Sequence, residues 1–165
     1  MRTMKMLALL PAMLLLGACD DDDVTAPALP NVVQVAQAVN AETGEFSTLI
    51  AAVVAAGLVD ELSADGQRTV FAPTDAAFAA IGLNEDNIGT VPVDDLTGIL
   101  LYHVAGGRLT AADVLTEDAL TMANGGTAQI SVNGGAAFIN DAEIVTTDVE
   151  ASNGIIHVID AVLLP

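Results

Sequence analysis

Thr69-Val70-Phe71-Ala72-Pro73-Thr74-Asp75-Ala76-Ala77-Phe78 reads as a strand, a stop and a capped helix in immediate succession. Thr69 to Ala72 is a short apolar run, the pattern of a buried strand. Pro73 has no N–H for a sheet ladder and ends it. Thr74 caps a helix predicted over Asp75 to Ile81, with Asp75 near its positive end. Phe71 and Phe78 lie among apolar neighbours and read as core. Gly82 closes the helix, and Leu83 to Ile88 can add one more turn.

The sequence before this stretch is helical in pattern. Asn31 can cap a helix whose apolar positions are Val32, Val35, Ala36 and Val39. Gly44 breaks it. A second helix from Glu45 places Phe46, Leu49, Ile50, Val53 and Val54 on one face, and Gly57 punctuates it. Leu58 to Leu62 adds a short turn of helix, and Asp65-Gly66 marks a turn.

After the stretch, Val93 to Tyr102 is helical, with Leu96, Ile99 and Leu100 inward. Thr110 and Asp113 have capping-box spacing, which predicts a short helix over Thr110 to Leu115. The last third changes to short strand-like runs at Ala119–Ala123, Ala128–Val132, Ala136–Ile139 and Glu143–Thr146. Asn124-Gly125 and Asn133-Gly134 fall between them as hairpin turns. Asn153-Gly154, with Gly free to take φ > 0, leads into a closing strand over Ile155 to Val162. Helices followed by an antiparallel sheet define the class α+β. No internal repeat and no second domain is visible.

The N-terminus reads as an address. Arg2 and Lys5 precede an apolar run from Leu7 to Leu16, which is far short of the roughly 20 residues of a spanning helix. Leu16-Gly17-Ala18-Cys19 resembles the lipobox of bacterial lipoproteins. That resemblance implies a signal peptide over residues 1–18 and lipid attachment at Cys19, the only cysteine. Several acyl chains on one Cys anchor firmly where a single chain is marginal. Asp20 to Asp23, then Pro27 and Pro30, oppose packing, so residues 19–30 read as a tether. The folded domain is then 31–165.

Composition narrows the function. The chain of 165 residues carries 22 acidic residues, 4 Lys+Arg and 2 His, for a formal charge of −18. With 53% hydrophobic residues it can build a core. Nucleic acid is excluded as a partner, because phosphate binding needs a basic face. Cations are attracted non-specifically. Such acidity fits either a salt-adapted protein or an acidic lineage composition. One cysteine rules out an intramolecular disulfide and a Cys-based zinc site.

Three segments in this order resemble the defining boxes of the fasciclin (FAS1) domain. They are Thr69 to Phe78, then Ile99-Leu100-Leu101-Tyr102-His103-Val104 with Gly107 and Leu109, then Asn153-Gly154-Ile155-Ile156-His157-Val158-Ile159-Asp160. The resemblance implies a β-wedge of two sheets with a cluster of helices on one side. It also implies an adhesive or protein-binding role outside the cytoplasm, without cofactor or catalytic residues. In animal relatives the Tyr-His pair and flanking aliphatics are implicated in integrin binding, and an Asp-Ile pair precedes the last box. Tyr102, His103, Asp148 and Val149 are the matching candidates for binding, with Val149 departing by one methylene. A core role fits Tyr102-His103 better than direct contact does, and a buried neutral imidazole fits His157.

No enzyme signature competes with this reading. Ser47, Ser63, Ser131 and Ser152 lie in no Gly-x-Ser-x-Gly elbow, and Gly106-Gly107 and Gly134-Gly135 lack the context of a phosphate loop. His103 and His157 lack a short metal-ligand spacing, and no metal site is expected. Glu85-Asp86-Asn87 and Asp94-Asp95 match no EF-hand and read as solvated surface. The expected protein is an envelope-bound, lipid-anchored domain, on the cell surface or the periplasmic side, binding an extracellular protein or polysaccharide. Two other readings stay open: a periplasmic domain that binds a small molecule or serves an envelope enzyme, and a hydrolase with a carboxylate pair. Contacts would come from the loops at Leu83–Pro92 and Gly125–Ala128.

Overall fold

The computed structural model describes residues 29–165. The signal peptide, Cys19 and nearly all of the tether lie outside the described residues. The chain opens with α1 (Val32–Thr43), α2 (Ser47–Ala55) and α3 (Val59–Ser63). Then come β1 (Arg68–Pro73), α4 (Asp75–Ala80), a 3-10 turn (Ile88–Thr90), α5 (Val93–Tyr102), β2 (Val104–Gly106) and α6 (Ala111–Val114). Five strands finish it: β3 (Ala119–Thr121), β4 (Thr127–Asn133), β5 (Ala136–Ile139), β6 (Ala142–Ala151) and β7 (Gly154–Ile159).

Local chemistry sets the helix ends. The Asn31 side chain accepts the Gln34 N–H at 2.9 Å and the Gln34 side chain accepts the Asn31 N–H at 3.0 Å, a reciprocal cap for α1. Gly44 ends α1 in the left-handed region at φ 77°. The residue before α2 is Phe46, at φ 70° and unable to cap. Asp75 replaces it from a distance. Its carboxylate accepts the Ser47 N–H at 3.1 Å, the Ser47 hydroxyl at 2.8 Å and the Thr48 N–H at 2.8 Å. Burial works against this charge, but those bonds outweigh it and hold the carboxyl below its ordinary pKa. One residue thus starts α4 and closes the orphan donors of α2.

The seven strands form one continuous sheet in the order β2-β1-β7-β6-β5-β4-β3. Two separate sheets are therefore not present, contrary to the wedge expected from the sequence. The reason lies in β6. Its C-terminal half pairs with β7 from Val149 to Ala151, its N-terminal half pairs with β5 at Ala142 and Glu143, and register shifts interrupt it between Ile144 and Val149. Bulges bend a strand and sharpen its twist, so a single sheet turns back on itself. An Ala105–Met122 bridge joins the two outer ends and nearly closes the sheet.

The sheet is also not antiparallel throughout. β1 runs parallel to β7 from Arg68–Gly154 to Pro73–Ile159. The long crossover between them carries α4 to α6 and the β3–β6 meander, which parallel pairing requires. Gly154 sits where these strands meet. Its φ is not positive; a Cβ there would overlap the Arg68 carbonyl oxygen, so its requirement is space. By contrast Gly134 and Gly135, at φ 61° and 93°, form the two-residue β4–β5 turn, one residue beyond the Asn133-Gly134 pair expected from the sequence, because Asn133 still pairs with Ala136.

Two apolar clusters fill the interior. One lies between the helices and the sheet and includes Val32, Phe46, Leu49, Phe78, Leu96, Leu100 and Ile156. The other lies inside the curled sheet and includes Phe71, Tyr102, Val114, Leu120, Ile139 and Ile159. Asn153 joins α1 to this body. It accepts the Val32 N–H at 2.9 Å and donates to the Leu62 and Ala64 carbonyls at 2.8 and 3.1 Å.

Candidate functional site

Tyr102 ends α5, and His103 caps it and leads into β2. Both are buried. The Tyr102 hydroxyl donates to the Thr127 carbonyl at 2.8 Å and accepts from the Asn140 amide at 3.2 Å. Its ring lies beneath Gly126, where a Cβ would meet it at 2.8 Å. Tyr102 thus holds the β3–β4 and β5–β6 turns together.

His103 faces the other way. Its Nε2 accepts the Leu163 N–H at 2.9 Å and is therefore unprotonated. The proton sits on Nδ1, which donates to the Ile99 carbonyl at 2.7 Å. Burial lowers its pKa to about 4, against the weaker opposing effect of the Ile99 bond. The imidazole is neutral and ties the C-terminal tail to α5.

His157 on β7 uses the opposite tautomer. Its Nδ1 accepts the Asp148 N–H at 3.2 Å, so Nε2–H donates to the Leu109 carbonyl at 3.0 Å. Burial lowers its pKa, while the Leu109 bond and the Asp148 charge act in the opposite direction. Its ring stands 5.6 Å from that of Phe71.

Asp148 occupies the irregular part of β6 at φ 57°, an uncommon conformation for a residue with a side chain. Its Oδ1 accepts the Ala111 N–H at 2.8 Å, a free donor at the start of α6. Asp148 is exposed and Val149 is half-buried. Thus the four residues named from the sequence do not converge on one cleft. Tyr102 and His103 point into the interior, Asp148 faces solvent, and Val149 turns toward α1.

That last direction was not legible from motifs. Val149 lines a groove of about 250 Å³ between α1 and the β6–β7 ladder. Val35, Val39, Phe46 and Val158 share it. Asn153 has the local pattern of a turn residue alone, because its three long-range partners leave no mark in the nearby sequence. Arg108, which no motif marks, donates to the Ala151 and Gly154 carbonyls at 3.1 and 3.3 Å and pairs with Glu150 at 3.4 Å.

Among the described residues, no group of three or more His, Cys, Asp or Glu side chains could hold a metal ion. Both imidazoles are occupied in backbone bonds, and neither contacts a Ser hydroxyl. No helix among the described residues is long and apolar enough to cross a membrane. The buried polar groups join segments of the chain to one another.

Comparison with known proteins agrees. The fasciclin domain family model matches residues 44–165, and the chain belongs to that family. It is 48% identical over 122 residues to protein sll1483 of Synechocystis, covering 73% of this chain and 67% of that protein. It is 33% identical over 144 residues to the transforming growth factor-beta-induced protein ig-h3 of Sus scrofa, covering 87% of this chain but 20% of that one. Immunogenic protein MPB70 of Mycobacterium bovis is 34% identical over 127 residues, which cover 73% of this chain and 64% of MPB70. Among solved structures, a FAS1 domain pair from the insect cell adhesion molecule Fasciclin I superposes with a TM-score of 0.65 at 21% identity, covering 82% of this chain and 51% of that one. The matched region is thus a FAS1 domain. Helix α1 precedes the matched region yet contributes Val32 and Val35 to the core.

Proposed function

We propose that this chain is a lipid-anchored, extracytoplasmic FAS1 domain, folded over 31–165, that mediates adhesion by binding an extracellular protein or polysaccharide. Membership of the fasciclin family over residues 44–165 carries this reading. The anchor rests on Leu16-Gly17-Ala18-Cys19, and residues 19–30 serve as the tether. The adhesive role follows the similarity to Fasciclin I, whose description is that of a cell adhesion molecule.

The charge limits the partner. At −18 the chain repels polyanions, so its partner surface is neutral or basic. Tyr102 and His103 act from within, by holding the turns and the C-terminal tail in place. Direct contacts come from exposed groups: the β3–β4 turn around Gly125, which Tyr102 supports, and the Asp148 ridge on β6, which His157 and Ala111 hold. The test is adhesion of cells lacking the chain, complemented by wild type or by Cys19→Ala. Wild type restores adhesion and fractionates with membranes. Cys19→Ala leaves the domain folded but released, and adhesion is lost. Full adhesion by the released variant contradicts the anchored reading.

A further inference from the structure

The groove beneath α1 opens to solvent at a rim of exposed Thr43, Glu45 and Thr146, and its walls are apolar. It holds about 250 Å³. α1 supplies Val35 and Val39 as one wall, β6 and β7 supply Val149 and Val158 as the other, and Phe46 closes an end. The polar groups on its lining are Thr43, Glu45 and Thr146; no Lys, Arg or His is among them. Every buried side-chain polar atom among the described residues already has a hydrogen-bond partner. An enclosed apolar cavity of about 150 Å³ takes up benzene, so an open groove of this volume has room for a small apolar guest.

The groove is also built, in the sense that an irregular strand opens it. β6 changes register twice between Ile144 and Val149, and Asp148 at φ 57° turns the chain there. Bulges re-aim side chains beside functional sites, and left-handed non-glycine residues persist where the surroundings hold them. Here both Asp148 bonds, from its N–H to His157 and from Ala111 to its carboxylate, fix that turn. The result directs Val149 at α1. A second, smaller cavity of about 50 Å³ lies on the other face of α1, and Ala36 lines both.

We infer that this groove binds a free small molecule with an aliphatic body and no negative charge. Its apolar walls exclude a polar metabolite, and Glu45 disfavours a carboxylate or phosphate head. This site is separate from the adhesive surface proposed above, and its failure leaves that reading untouched.

The test uses the full chain with labelled valine methyl groups and three six-carbon probes: hexan-1-ol, hexylammonium and hexanoate. Hexan-1-ol is expected to shift the Val35, Val39, Val149 and Val158 methyl signals saturably. Hexylammonium is expected to bind at least as well, and hexanoate about fivefold more weakly. Glu45→Gln removes the difference between the two charged probes and leaves hexan-1-ol binding unchanged. Two filling variants, Ala36→Leu and separately Val39→Phe, abolish the shifts, and whichever keeps its native spectrum decides the matter. The inference is overturned if hexan-1-ol gives no saturable shift, if a folded filling variant still binds, or if Val53 and Val70 by the smaller cavity respond instead.

Discussion

The Nε2 of His103 accepts the Leu163 N–H at 2.9 Å, across 60 residues of sequence, and the C-terminal tail is held to α5 by an imidazole that must stay neutral. Protonation would set two donors against each other in a buried site. The folded pKa of about 4 lies below the ordinary 6.5, so the stabilisation is fully present above pH 6.5 and is lost as pH falls through 4. That drop corresponds to on the order of 3 kcal/mol. The lowered pKa values of His157 and Asp75 act with the same sign. Denaturant unfolding from pH 8 to pH 4 should show falling stability. His103→Gln should be less stable at pH 7 and show a flatter profile between pH 6.5 and pH 4. An unchanged slope in that variant would place the acid sensitivity elsewhere.

Asn153 and Gly154 do different work although they adjoin. Asn153→Ala leaves the Val32 N–H and the Leu62 carbonyl without their partner in a buried place. The cost is about 3 kcal/mol, and hydrogen exchange should show α1 opening before the sheet. Gly154→Ala drives a methyl group into the Arg68 carbonyl and is expected to prevent native β1–β7 pairing. A folded Gly154→Ala protein with native stability would refute the close approach.

Tyr102→Phe removes the hydroxyl that serves Thr127 and Asn140. A loss of about 1–2 kcal/mol follows, together with increased motion at the β3–β4 turn. Adhesion measured at a temperature where the variant is fully folded should stay within about twofold of wild type, since neither the ring nor its hydroxyl faces solvent. Complete loss of adhesion in a folded Tyr102→Phe protein would make Tyr102 a contact residue.

The strong negative charge, −18 over the full chain, makes salt a stabiliser. Arg68 and Arg108 are the only Lys or Arg among the described residues, and Arg68 is engaged with the Glu61 and Ala64 carbonyls. Raising NaCl from 0.1 to 1 M shortens the screening length from about 10 Å to about 3 Å. Tm at pH 7 should rise by several degrees. A falling Tm would show that screened attractions, such as Arg108 with Glu150, outweigh the repulsion.

Much of this architecture was legible in the sequence because it is locally encoded. The Asn31, Thr74 and Thr110 caps, the Val93–Tyr102 helix and the Gly134-Gly135 turn depend on neighbours within a few residues. The parallel β1–β7 pair and the single curled sheet were not legible, since strand partners and register shifts are long-range properties. The same division holds for the candidate site. Motif position marked Tyr102, His103, Asp148 and Val149, but only the fold shows that the first two point inward and that Val149 borders a groove. Asp75 is a further case. Sequence placed it at its own helix terminus, whereas its carboxylate binds the start of α2.

Protease shaving of intact cells, with a periplasmic protein as the control that must survive, tests the central claim most directly. An adhesive, anchored domain displayed outside the cell is cleaved from the surface, and adhesion falls with it. Full protection of residues 31–165 behind an intact outer barrier would contradict cell-to-cell or matrix adhesion as its function.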